Sequence, residues 1–191
     1  MAAREVDYLL IGGGLASANC ARWLREEGAA GEVLLVGREP DPPYNRPDCS
    51  KGYLRGEETR EQPLFRPHEW WSQQQVELLT RASVTGLDLA TRTATLSSKE
   101  QIVFGKALLA TGANVRRLNV DGCQLEHIYY LRTLANADAI REGVARAERV
   151  AVRAPGSRDV TLVRVSSSTS CSDHHGSGRK SGSSRVSSPR R

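Results

Sequence analysis

Between Val6 and Val36 two short apolar runs enclose a glycine turn and an amphipathic stretch, and few folds accept that order. Val6-Asp-Tyr-Leu-Leu-Ile11 is almost continuously apolar and stops at Gly12-Gly13-Gly14, the pattern of a strand covered on both faces in a parallel sheet. From Leu15 to Glu27, Ala16, Cys20, Trp23 and Leu24 recur at helical spacing, Arg22, Arg25 and Glu26 take the other face, and Gly28 suits a helix stop. Glu32 to Val36 is a second apolar run, so residues 6–36 read as a βαβ unit. Gly12-Gly13-Gly14-Leu15-Ala16-Ser17 matches G-x-G-x-x-[small] at the strand–helix junction. There Gly12 permits the tight turn, Gly14 lets the main chain approach a pyrophosphate, and a small residue at 17 lets the helix lie close on the strand. The first-turn N–H groups and the helix dipole then face the anion. A dinucleotide is the expected ligand; a glycine turn that serves packing alone is the rival reading.

The remaining chain reads as an α/β, Rossmann-like domain of ordinary size. Pro40 to Pro47 resist helix and central strand. Residues 67–75 suit a short helix, and 76–80, 83–89, 93–96 and 101–104 are short alternating runs expected to form a small antiparallel meander. Lys106 to Gly112 repeats the buried-strand pattern. A strand is expected over 127–131, a helix over 133–147 with Thr133 as N-cap, and the start of another strand at 149–152. Glu39 follows the second strand, where a carboxylate can accept hydrogen bonds from ribose hydroxyls; it can equally be an ordinary surface glutamate. Arg38 occupies the more usual place for that acid and is expected against an adenine or in solvent.

Pro43-Tyr44-Asn45-Arg46-Pro47-Asp48-Cys49-Ser50-Lys51, then Ala110-Thr111-Gly112, then Leu131-Arg132-Thr133 follow in an order that resembles the FAD domain of the pyridine nucleotide-disulfide oxidoreductase superfamily. Its ferredoxin reductase and apoptosis-inducing-factor branch is the most similar. That branch reads P-Y-x-R-P-P-L-S-K, and Asp48 and Cys49 depart from it. The resemblance, over about 7–152, implies FAD as cofactor and NAD(P)H as co-substrate. It implies hydride transfer to the flavin and onward single-electron transfer to a small iron-sulfur protein of the ferredoxin or rubredoxin type. Residue by residue it implies that Arg46 neutralises the pyrophosphate and that Lys51 sets a cation beside the N5/O4 edge of the flavin, stabilising the reduced ring. The backbone of Val84 would meet the adenine, Ala110, Thr111 and Gly112 would pass along the cofactor, and Arg132 would lie near the flavin. Relatives that reduce disulfides or peroxides carry a redox cysteine after the same loop, so Cys49 offers a second enzymatic reading against that of a structural thiol.

The family pattern stops after Val152. There a second glycine fingerprint is typical, and this chain continues Arg153-Ala-Pro-Gly-Ser-Arg-Asp159. The FAD domain is therefore expected to be incomplete and the chain truncated, inactive alone and weak in FAD retention. Residues 153–191 are expected to form a disordered Ser/Arg-rich tail, because so few apolar groups cannot offset about 1 to 2 kcal/mol of backbone entropy per residue. Out-of-frame translation after codon 152 would produce such a tail, and a natural extension would look the same. The charge divides at the same point. The 191 residues carry 27 basic and 22 acidic groups, a net +5, but eight of the basic and two of the acidic groups lie beyond Val152, leaving −1 before it and +6 after it. A basic tail that binds nucleic acid on an inert body is a non-enzymatic alternative. It lacks aromatic residues for base stacking, so nucleic acid is not the expected partner.

Cys20, Cys49, Cys123 and Cys171 form no paired motif, which points to reduced thiols and no structural metal. Cys171 with His174 and His175 is only superficially a metal cluster. The apolar start ends at Gly12, too early for a secretory signal. No run reaches the roughly 18 to 20 apolar residues of a membrane helix, so a cytoplasmic setting is expected.

Overall fold

The computed structural model describes residues 4–153 and 161–164. Strand β1 (Arg4–Ile11), helix α1 (Leu15–Glu26) and strand β2 (Val33–Val36) form the expected βαβ unit. β1 and β2 are parallel, with Tyr8 opposite Val33 and Ile11 opposite Val36. Every residue of β2 is buried because both faces of the sheet are covered there. Leu34 and Val36 join Leu9, Ile11, Leu96 and Ile102 in one core. Val33 and Leu35 join Leu10, Ala18, Ala21 and Trp71 in the other, under α1. Each fully buried Val, Leu or Ile among them contributes about 1.5 to 3 kcal/mol of transfer free energy.

The sheet has six strands in the order β3-β2-β1-β6-β5-β4. Here β3 is Val76–Leu79, β4 Val84–Asp88, β5 Thr93–Leu96 and β6 Gln101–Leu109. Two expectations are corrected. The 76–80 run is not part of the meander: β3 lies parallel to β2 at the opposite edge, and within this sheet the antiparallel pairs are β4 with β5 and β5 with β6. A short apolar run carries no mark of its partner, so the periodicity could not separate the two. The runs 101–104 and 106–112 are one strand from 101 to 109, parallel to β1 along its length. Gly105 interrupts nothing; a Cβ there would stand 2.9 Å from the carbonyl oxygen of Asp7, so the glycine serves close approach within the sheet.

The proline-rich loop turns through a 3₁₀ segment, Arg46–Ser50, into the short helix α2 (Gly52–Arg55), and helix α3 is His68–Gln73. Helix α4 (Leu134–Ala145) starts at the expected N-cap, with Thr133 Oγ1 accepting from the Asn136 amide and Asn136 Oδ1 accepting from the Thr133 amide. A third core of Tyr44, Cys49, Tyr53, Leu134 and Ala137 joins this loop to α4. Arg60 reinforces the junction, donating to Asp41 at 2.8 Å and to Asp138 at 2.5 Å. The strand expected over 127–131 does not form. The segment runs irregularly, with His127 at φ +65° and Ile128 and Tyr129 exposed; its apolar residues meet no ladder.

A second compact unit begins at Ala147. In it strand β7 (Arg149–Val152) pairs antiparallel with β8 (Thr161–Arg164). Four residues of the stretch 153–191 expected to lack structure are thus in a ladder; the rest of that stretch beyond Arg153, and the Cys171 grouping, lie outside the described residues. Among the described residues no helix is long and apolar enough to cross a membrane, and no group of three acidic, His or Cys side chains could hold a metal ion.

Candidate dinucleotide site

The carboxyl ends of β1, β2 and β6 meet through main chain rather than side chains. Gly12 has φ +124°, and a Cβ on it would stand 2.1 Å from the Ala110 carbonyl oxygen. Gly13 lies against Gly37, where an added Cβ would come within 3.1 Å of its Cα. Hydrogen bonds from Gly12 N to Val36 O and from Ala110 N to Ile11 O, both 2.8 Å, close the junction. Gly14 differs: nothing lies within 4 Å of a Cβ built on it. It is the N-cap of α1, with no side-chain cap and no acidic residue in the first turn. Leu15, Ala16 and Ser17 therefore begin a helix whose first amides have been left for another acceptor. Ser17 is fully buried, as close packing of helix on strand requires, and its Oγ has no hydrogen-bond partner.

Around this opening the structure gathers most of the residues expected there. Ala110, Thr111 and Gly112 leave β6 beside Gly12; Gly112 has φ +67°, and a Cβ on it would lie 3.7 Å from a guanidinium nitrogen of Arg132. Arg132 presents its backbone carbonyl to Arg46 Nη1 at 3.0 Å. Arg46 Nη2 donates to Glu39 Oε1 at 2.5 Å, and Glu39 Oε2 accepts from the Tyr44 hydroxyl at 2.6 Å. Burial is the largest influence on Arg46 and works against its charge, but the Glu39 hydrogen bond and the electrostatic pull of its neighbours together outweigh it and hold the guanidinium above its ordinary pKa. Burial, then the bond to Glu39, pushes the Tyr44 phenol up as well.

Arg38 is exposed and donates to Asn114 Oδ1 at 2.5 Å. The chain approaching Val84 runs along the same rim, with Arg81 N bonded to Glu39 O and Ala82 N to Gly37 O. Val84 itself packs its side chain on the sheet core. Lys51 is exposed at the junction of the 3₁₀ turn and α2, and the geometry brings it to none of the other site residues by a hydrogen bond. Tyr44, Gly37 and Asn114 are rim residues that the sequence reading left out of the site. Its place beside Arg46 in the P-Y-x-R-P motif is the signal that marks Tyr44. Cys49 is 2% exposed within the third core; burial pushes its thiol up, with the Arg46 charge opposing. That environment disfavours thiolate chemistry.

The matches to known proteins agree with this geometry. Residues 6–153 fit the model of the family described as pyridine nucleotide-disulphide oxidoreductase. The chain belongs to that family. It is 36% identical over 146 residues to the 5,5'-dehydrodivanillate O-demethylase ferredoxin reductase subunit of Sphingobium sp., covering 76% of this chain and 35% of that protein. It is 31% identical over 172 residues to a ferredoxin–NAD(P)(+) reductase of Sphingomonas sp, covering 83% and 42%. Among solved structures, the covalent putidaredoxin reductase–putidaredoxin complex contains a chain that superposes with a TM-score of 0.69 at 31% identity, over 73% of this chain and 34% of that one. The chain thus spans less than half the length of these relatives. Enzymes of this family are FAD-dependent oxidoreductases. The group this implies fits the residues present, because the opening at Gly14 and the uncapped start of α1 offer a diphosphate what it needs.

Proposed function

We propose that this chain is the cofactor-binding portion of an FAD-dependent reductase that draws electrons from NAD(P)H and delivers them to a small iron-sulfur protein of the ferredoxin or rubredoxin type. One NAD(P)H supplies two electrons and releases one proton; two acceptors take one electron each. FAD, when bound, supplies the exchange between the two-electron donor and the one-electron acceptors. The observation that carries this reading is the empty space at Gly14 in front of the uncapped helix α1, in a chain whose similar proteins include ferredoxin reductases.

In this reading Gly12, Gly13 and Gly14 with Leu15, Ala16 and Ser17 hold the pyrophosphate, and Arg46 adds a positive charge. Val84 and Arg38 lie at the adenosine end, and Ala110, Thr111, Gly112 and Arg132 line the passage toward the flavin. Lys51 stabilises negative charge on the reduced ring. Residues 1–152 constitute the FAD-binding portion and 153–191 follow it, with Thr161–Arg164 laddered onto Arg149–Val152, in a cytoplasmic protein. On its own this portion is insufficient for hydride transfer and retains FAD weakly.

Titrating the purified chain with FAD and following flavin fluorescence tests the reading. Saturable binding weakened at least tenfold by Gly14→Asp is expected, because a carboxylate would face the diphosphate. Binding indifferent to that change would overturn the assignment. A stably yellow chain that reduces dyes with NADH would overturn the claim of insufficiency.

A further inference from the structure

The carboxylate at the end of β2 is already engaged. Glu39 Oε1 accepts from Arg46 Nη2 at 2.5 Å, and Oε2 accepts from the Tyr44 hydroxyl at 2.6 Å and, more distantly, from Arg46 Nη1 at 3.4 Å. The Glu39 side chain is 17% exposed and that of Arg46 is 31% exposed. The Tyr44 hydroxyl is saturated too. It donates to Glu39, accepts from Arg46 Nη1 at 2.9 Å, and accepts from the amide of Leu134 at 3.3 Å. Tyr44 is 2% exposed and Leu134 fully buried. A hydroxyl has one hydrogen and two lone pairs, and all are used.

These contacts join three separate pieces of chain: the end of β2 through Glu39, the proline-bounded loop through Tyr44 and Arg46, and the turn into α4 through the Arg132 carbonyl and the Leu134 amide. Turning Glu39 outward to a sugar would strip the counter-ion from a half-buried guanidinium and the acceptor from a buried hydroxyl. Loss of one partner from such a group costs more than the new exposed hydrogen bond returns.

We infer that Glu39 is a positioning residue: with the Tyr44 hydroxyl it fixes the Arg46 guanidinium against the Arg132 carbonyl, and it does not read the ribose. In a cofactor site this sets the direction of the one cation on the loop and leaves the adenosine hydroxyls to the neighbouring Arg38–Asn114 pair. The cofactor half of the inference rests on the FAD reading above; the ties to Leu134 and Arg132 do not.

Hydrogen exchange at the Leu134 amide is the test that needs no ligand. In the full chain, Glu39→Gln and Tyr44→Phe should each speed that exchange roughly tenfold, as loss of a hydrogen bond tied to a charged network would. Amides of Leu9 and Leu34 in the sheet report whether either variant has lost its fold. A ribose ligand would leave Leu134 unmoved in Glu39→Gln, and that result overturns the inference. The second arm compares FAD with its analogue carrying 2'-deoxyadenosine. Glu39→Gln should weaken both by the same factor; weakening confined to FAD would show Glu39 reading the ribose and would also overturn it. If the parent chain bound neither flavin while Leu134 exchange rose in both variants, the FAD reading would fail and the positioning role would stand.

Discussion

Gly12 and Ala110 touch main chain to main chain: a Cβ on the glycine would lie 2.1 Å from the alanine carbonyl oxygen, and the glycine's φ of +124° is one that side chains avoid. Neither partner can yield easily, since each directly follows the last residue of one of two paired strands, Ile11 of β1 and Leu109 of β6. The fingerprint therefore contains two kinds of glycine. Gly12 holds strands together, and Gly14 faces open space.

Gly12→Ala should cost about 3 kcal/mol or more, the range expected for combined backbone strain and overlap. Gly14→Ala should change stability by less than about 1 kcal/mol, the scale of an N-cap preference. Urea denaturation of the two variants checks the contrast. Equal losses would mean that the turn is organised differently from this description.

Much of this is legible in the sequence, because strand β1, helix α1 and strand β2 declare themselves by local pattern. Leu34 and Val36 face one core and Val33 and Leu35 the other, which is why the run between Glu32 and Gly37 shows no polar alternation. What local pattern cannot carry is partnership. Val76–Leu79 joins β2 rather than the meander, and the 127–131 segment, with equally apolar residues, finds no ladder. The rim is partly legible: position marks Glu39 and motif marks Arg46, but their pairing, and the role of Tyr44 between them, requires the loop to fold back.

Arg25 shows the same limit. Spacing places it on the solvent face of α1, yet its guanidinium donates to four backbone carbonyls, those of Ala29, Gly31, Gln74 and Gln75, at 2.8 to 3.0 Å. It closes the end of α1 and the turn before β3 at once. Arg25→Ala should cost about 2 kcal/mol by leaving these acceptors to water or unpaired. Arg25→Lys should recover less than half, because one ammonium cannot reproduce the planar fork. Thermal unfolding of the three proteins provides the comparison, and a full rescue by lysine would contradict it.

The Thr133–Asn136 capping box begins the helix that carries Leu134 and Ala137 into the third core. Thr133→Ala removes the acceptor for the Asn136 amide and should cost about 1 kcal/mol. Thr133→Ser keeps it and should lose only a few tenths. Chemical denaturation distinguishes the two; equal losses would point to the methyl group rather than the cap.

The resemblance offers Cys49 as a redox cysteine, but its surroundings oppose that chemistry. It is 2% exposed among Tyr44, Tyr53, Leu134 and Ala137, and burial raises its pKa despite the nearby Arg46. The thiolate is the nucleophile, so a raised pKa and exclusion from solvent both slow attack. With iodoacetamide at pH 8, Cys123, which is partly exposed, should alkylate before Cys49, and Cys49 should react at least a hundredfold more slowly than in the urea-unfolded chain. Peptide mapping by mass spectrometry reads both rates. Cys49→Ala should cost roughly 1 to 2 kcal/mol as a small core truncation, and Cys49→Ser at least as much by burying a hydroxyl. Rapid labelling of Cys49 in the folded chain would restore the thiol-reductase alternative.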